Sequence, residues 1–156
     1  MKETPAGRRL RQNSFGFLIQ LLARRVEVRL AKQLSAVDID IKMLANLMLL
    51  RQKDGINQRE LGHLLDFPEY ATSRNVDALV KAGFVERQVD PNNRRAYKIY
   101  LTEAGREKSN ALPAIIASNN QHFLEDFSAS EKEQLIYLLQ KAAGISEHNS
   151  PEIIDP

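Results

Sequence analysis

At 156 residues, 43% hydrophobic and 27% charged, the chain has the size and balance of one globular domain with room for a substantial core. It contains no cysteine, which excludes disulfides, thiolate metal sites and a cysteine redox sensor, and no apolar run near the roughly 20 residues that span a membrane. The net charge of +2 conceals a gradient: nine Lys and Arg against four Asp and Glu in residues 1–50, nine against seven in 51–100, and four against nine in 101–156, as in a molecule with one side facing a polyanion and one acidic end.

The leader MKETPAGRRLRQ is polar and basic, with no apolar segment behind it, so it does not read as a secretory signal and cytoplasm is the expected location. Phe15, Leu18, Ile19, Leu22, Val26 and Leu30 recur in steps of three and four and predict one apolar face of a long helix from Phe15 to Leu34. Arg8, Arg9, Arg11, Arg24, Arg25 and Arg29 lie at or before its exposed side. After a break over Ser35 to Asp40, Val37, Ile41, Leu44, Leu47 and Met48 mark a second helix that stops near Gly55. Asn57 caps a third helix, with Glu60 placed for a capping box and Leu61, Leu64 and Leu65 inward. Asp66-Phe67-Pro68 ends it, because proline disfavours helical geometry in the residue before it and suits the start of a new helix. The fourth helix is expected from Glu69 to Ala82, with Ala71, Val76, Leu79 and Val80 inward and Gly83 as its stop.

Period-two alternation then replaces the helical period. Phe84 to Val89 reads as a strand, Asp90-Pro91-Asn92-Asn93 as a turn, and Ala96 to Leu101 as a second strand with Tyr97, Ile99 and Leu101 on one face. Thr102 caps a long fifth helix through about Phe127, expected to be bent or interrupted by Pro113 while Leu112, Ile116, Phe123 and Phe127 keep helical spacing. Ser128 and Glu131 form a capping box that opens a sixth helix with Leu135, Leu138, Leu139 and Ala142 inward. Residues 145–156 read as a frayed tail. The fold class is mainly α with a small β-hairpin: a winged helix-turn-helix flanked by N- and C-terminal helices, in one domain over 1–156.

That order of elements is the architecture that sets one helix in the DNA major groove and a ribbon beside it. The fourth helix carries Tyr70, Thr72, Ser73, Arg74, Asn75 and Lys81 on its polar face. Arg can chelate guanine O6 and N7, Asn can chelate adenine N6 and N7, and Ser and Thr reach bases or phosphates. The hairpin carries Arg94 and Arg95 at or just beyond its turn, flanked by Arg87 and Lys98, and a projecting arginine suits the negative potential of a narrow minor groove. The candidate DNA-binding residues are therefore Tyr70, Thr72, Ser73, Arg74, Asn75, Arg87, Arg94, Arg95 and Lys98. His63, His122 and His148 lack the i, i+4 pairing of a helical zinc site. With no nucleophile–His–acid group or Gly-rich phosphate loop either, no metal, cofactor or enzymatic activity is expected.

The chain resembles the MarR (multiple antibiotic resistance regulator) family of bacterial winged-helix repressors. The resemblance rests on Gln58-Arg59-Glu60-Leu61, on Ser73 to Leu79, on Ala82-Gly83-Phe84-Val85-Glu86-Arg87, on Asn93-Arg94-Arg95 and on Leu101 to Gly105. It implies a homodimer in which helices over about 13–35 and 102–144 interlock, while the winged part over about 37–101 reads a pseudo-palindromic double-stranded operator. It also implies a repressor released by a small effector, frequently an aromatic or phenolic acid, bound between the dimer helices and the winged part. The departures are Asn93 where the wing usually has Asp, Gly62 where Ala is common, and Pro113. The competing reading is a winged helix that serves as a protein-interaction adaptor without an operator of its own.

Overall fold

The computed structural model describes residues 9 and 11–145; the leader through Arg8, His148 and the tail from residue 146 lie outside them. Two compact units are present, one reaching Asn119 and one beginning at Asn120. The first unit opens with α1 (Phe15–Ser35), capped by the Ser14 hydroxyl, and α2 (Ile41–Gln52), capped by the Asp40 carboxylate. The two-residue strand β1 (Ile56–Asn57) leads into α3 (Gln58–Leu64) and α4 (Glu69–Lys81). The hairpin β2 (Val85–Asp90) and β3 (Asn93–Leu101) follows, then α5 (Glu103–Ser109) and the start of α6 (Leu112–Leu124). The second unit takes in the end of α6 and α7 (Ala129–Ala142).

The turn between α3 and α4 is a Schellman closure in which an aspartate takes the usual glycine position. Asp66 sits at φ 52° in the left-handed region, the Phe67 amide donates to Gly62 O at 2.9 Å, and the Asp66 amide donates to His63 O at 3.2 Å. The same closure ends α4, where Gly83 stands at φ 75° and Phe84 N donates to Leu79 O at 3.0 Å. Pro68 serves as the N-cap of α4, with its carbonyl accepting from Ala71 N and Thr72 N.

The sheet has the order β1-β3-β2, all antiparallel, with Ile56 opposite Ile99 and Val85 opposite Leu101. One core joins these elements: Leu34, Ile39, Leu47, Leu50, Ile56, Leu61, Val76, Leu79, Phe84, Val85, Ile99, Leu101 and Leu112 are all buried. Each fully buried leucine contributes about 1.5–3 kcal/mol relative to exposure. Gly105 lets α5 approach the backbone just before β2, since a Cβ there would overlap the carbonyl oxygen of Phe84. Asp54 ties the end of α2 to the base of the hairpin and to α5: its Oδ1 accepts from Leu101 N at 2.8 Å, and its Oδ2 pairs with Arg106.

Several expectations change. The region from Thr102 to Phe127 is interrupted, not bent: it forms two helices, α5 and α6, and the break falls at Asn110 and Ala111, ahead of Pro113. Pro113 lies in the first turn of α6, where its missing N–H costs nothing. Leu64 is exposed, because the buried side of α3 is centred on Leu61, Gly62 and Leu65. Glu60 does not close a capping box; its carboxylate takes Lys53 Nζ at 2.6 Å, and Asn57 caps α3 through the amide of Arg59. Tyr97 and Val89, opposite one another, are about half exposed, so the outer hairpin projects past the core. The Ser128–Glu131 capping box is present, with each residue's side chain bonded to the other's amide. Among the described residues no helix is long and apolar enough to cross a membrane.

Candidate nucleic-acid interface

The exposed edge of α4 follows from its fixed inner side. Thr72, Val76 and Leu79 point into the core, so Tyr70, Arg74, Asp77 and Lys81, spaced by four, three and four, share the opposite edge. Tyr70 is 70% exposed. Ser73 and Asn75 flank that edge half-buried.

Thr72, expected on the polar face, is a correction: it is only 2% exposed. Its hydroxyl donates to Pro68 O at 3.2 Å and sits against Gly62, where an added Cβ would overlap Thr72 Oγ1. This contact explains Gly62. The glycine lowers helix propensity by about 1 kcal/mol but lets α3 and α4 close on one another.

The hairpin tip is tighter than the sequence suggests. β3 begins at Asn93, so Arg94 and Arg95 belong to the strand, and the turn itself is Pro91-Asn92 beside an irregularity at Val89 and Asp90. Asp90 does not brace the tip through an arginine; its Oδ1 accepts from Asn92 N at 2.9 Å. Asn93 holds its own strand, its Oδ1 accepting from Arg95 N at 3.1 Å. Arg94 and Arg95 are exposed, and no ion pair with another described residue holds Arg74, Arg94 or Arg95. Between the hairpin, α3 and the start of α4 lies an open cleft of about 560 Å³ whose walls include Gln58, His63, Phe67, Asn93, Arg95 and Tyr97.

Arg87 is the second correction. It does not project with the other arginines. Its Nη1 pairs with Asp77 at 2.6 Å, its Nε donates to Gln58 Oε1 at 3.1 Å, and its side chain is only 26% exposed. Gln58 and Asp77 are thus contributors to the site that the sequence reading gave no role. The signal available was an arginine one strand after a helix bearing an aspartate, which is too common a pattern to single them out. Lys98 is half-buried in mid-strand, opposite Gln88 and Asn57. No group of three or more His, Asp or Glu among the described residues is arranged to hold a metal.

A family model described as MarR family matches residues 43–97, from α2 through the wing. A mutant MarR from E. coli complexed with operator DNA is 29% identical, over 81% of this chain and 91% of that one, with a TM-score of 0.77. Residues 43–97 thus match the MarR family, and the fold of the chain is the winged helix-turn-helix of these regulators. A probable transcriptional regulator from Pseudomonas aeruginosa matches at 25% identity over 84% of this chain and 98% of that one, with a TM-score of 0.79. The repressor CouR, bound to a 23-mer DNA duplex, superposes at a TM-score of 0.81 over 91% of this chain and 99% of that one; at 22% identity it speaks to the fold alone. The likeness supports a general transcriptional-regulator function for this chain.

Proposed function

We propose that this chain is a homodimeric, cytoplasmic repressor of the MarR family that binds a pseudo-palindromic operator and is released by a small organic-acid effector. One observation carries the DNA-binding part: an exposed edge of α4 bearing Tyr70 and Arg74, flanked by Ser73 and Asn75, stands beside a wing whose Arg94 and Arg95 have no acidic partner among the described residues. In this reading α4 enters the major groove and the wing arginines approach the adjacent minor groove. Residues 37–101 form the DNA-binding part. Helices within 13–35 and 102–144 form the dimer.

The apolar faces left open support the dimer. On α1, Phe15, Leu18 and Leu22 are exposed and only Leu34 is buried; on α7, Ile136, Tyr137 and Leu138 are exposed and no residue is buried. Apolar area of that extent on helices is characteristic of a protein contact. The operator complex of the E. coli MarR variant supports duplex DNA as the partner. The effector rests on family likeness.

The test is a mobility shift at fixed salt. Arg74→Ala should lower affinity for the preferred duplex by about 1–3 kcal/mol and relax specificity at one position. Arg95→Ala should weaken binding evenly across sequences. If both variants keep full affinity, the recognition model is wrong, and co-purification of a partner without duplex affinity would favour the adaptor reading.

A further inference from the structure

We propose that Arg87 is a positioning residue: it clasps α4 to the first wing strand and to the start of α3, and so sets how the recognition helix is presented instead of touching DNA itself. This rests on the reading of α4 and the wing as a duplex-binding surface. The clasp uses two directions of one planar guanidinium. Nη1 meets Asp77 on α4 at 2.6 Å, and Nε meets Gln58 on α3 at 3.1 Å, while Arg87 itself sits in β2 opposite Ile99. Three elements of the interface are joined through one side chain, a geometry that a lysine ammonium on a flexible stem does not reproduce.

The clasp also accounts for an acid on the reading edge. Asp77 lies on the same face of α4 as Tyr70, Arg74 and Lys81, is 59% exposed, and would repel phosphates if it were left bare. It is also three residues after Arg74 and four before Lys81, spacings at which it could pair with either. Arg87 takes the carboxylate instead, which neutralises it and leaves Arg74 without an ionic partner among the described residues. An arginine already paired in this way displaces no counterion from DNA, so removing it together with the Asp77 charge should not change the salt dependence of binding.

The probes are the duplex that the unmodified protein selects from random-sequence DNA and a scrambled duplex of equal length and composition. Affinity for both is measured as a function of salt with Arg87→Lys, Arg87→Gln and Asp77→Asn, each checked for folding by circular dichroism. The clasp predicts that all three lower the ratio of selected to scrambled affinity, by about tenfold. It further predicts that Arg87→Gln combined with Asp77→Asn, which removes both charges, keeps the parental salt slope and is no worse than the poorer single variant. Retention of the ratio by Arg87→Lys, together with a slope lowered by about 1 in the double variant Arg87→Gln with Asp77→Asn, would make Arg87 a phosphate contact and overturn the proposal. Tighter binding of the selected duplex by Asp77→Asn at an unchanged ratio would overturn it as well. Absence of duplex affinity in the unmodified protein would instead bring down the DNA-binding reading, and the role of Arg87 with it.

Discussion

The winged core and the helices α1 and α7 dispose of their apolar residues in opposite ways. From Ile39 to Leu112 the core is closed by its own chain: Leu47, Leu50, Leu61, Leu79 and Ile99 are wholly buried. α1 buries only Leu34 over 21 residues, and α7 buries none over 14 while exposing Ile136, Tyr137 and Leu138. Helical periodicity is present in both regions. A periodic stripe therefore reports that a face is apolar, and only burial reports what covers it.

The sharpest way to break this comparison is to make matched changes in the two regions. Leu79→Ala should destabilise the fold by about 2–5 kcal/mol, by the same amount at every protein concentration, in chemical unfolding. Leu138→Asp should act through association. Its sedimentation should shift towards monomer, and its unfolding midpoint should depend on concentration less than that of the unmodified protein. If Leu138→Asp lowers stability while sedimentation and the concentration dependence of the midpoint stay as in the unmodified protein, α7 is covered within its own chain and the dimer reading fails.

A smaller effect concerns the α3–α4 contact inside the core region. Gly62→Ala should lose about 1–3 kcal/mol through overlap with Thr72, despite the better helix propensity of alanine. Thermal unfolding should show the double variant with Thr72→Ala to be more stable than Gly62→Ala alone. Additive losses would mean that the two side chains do not meet.

These cases show what could be read from the sequence and what could not. The order of helices and the hairpin followed from period and from punctuation at Gly55, Pro68 and Gly83, because those signals are local. Thr72 could not be placed, since its neighbours on α4 are polar and only the backbone of Gly62, a residue on another helix, shows that it faces inward. Arg87 resembled its neighbours Arg94 and Arg95 in type and setting, and only Asp77 and Gln58, brought to it by the fold, distinguish it. Pro113 signals in the sequence that a helix is bent or interrupted, and the chain answers with an interruption just before it and a new helix starting there. β1 was missed because two residues carry no alternation; its register comes from β3.

The smallest effect lies at the start of α7. Hydrogen bonds from the Ser128 amide and then from its hydroxyl hold the Glu131 carboxyl below its ordinary pKa. A depressed carboxylate pKa favours the fold above the unfolded value, and that contribution is lost as pH falls through the lower folded value. Glu131→Gln should therefore flatten the acid limb of the helix's stability curve slightly, as followed by circular dichroism. An unchanged acid limb would remove the capping box from the account.

The central claim, that two copies of this chain present α4 and the wing to one duplex, is tested most directly by selecting bound sequences from random double-stranded DNA. The account predicts a two-fold symmetric site with half-site centres about one helical turn, roughly 10–10.5 base pairs, apart. An enriched site without two-fold symmetry, or no enrichment at all, would contradict it.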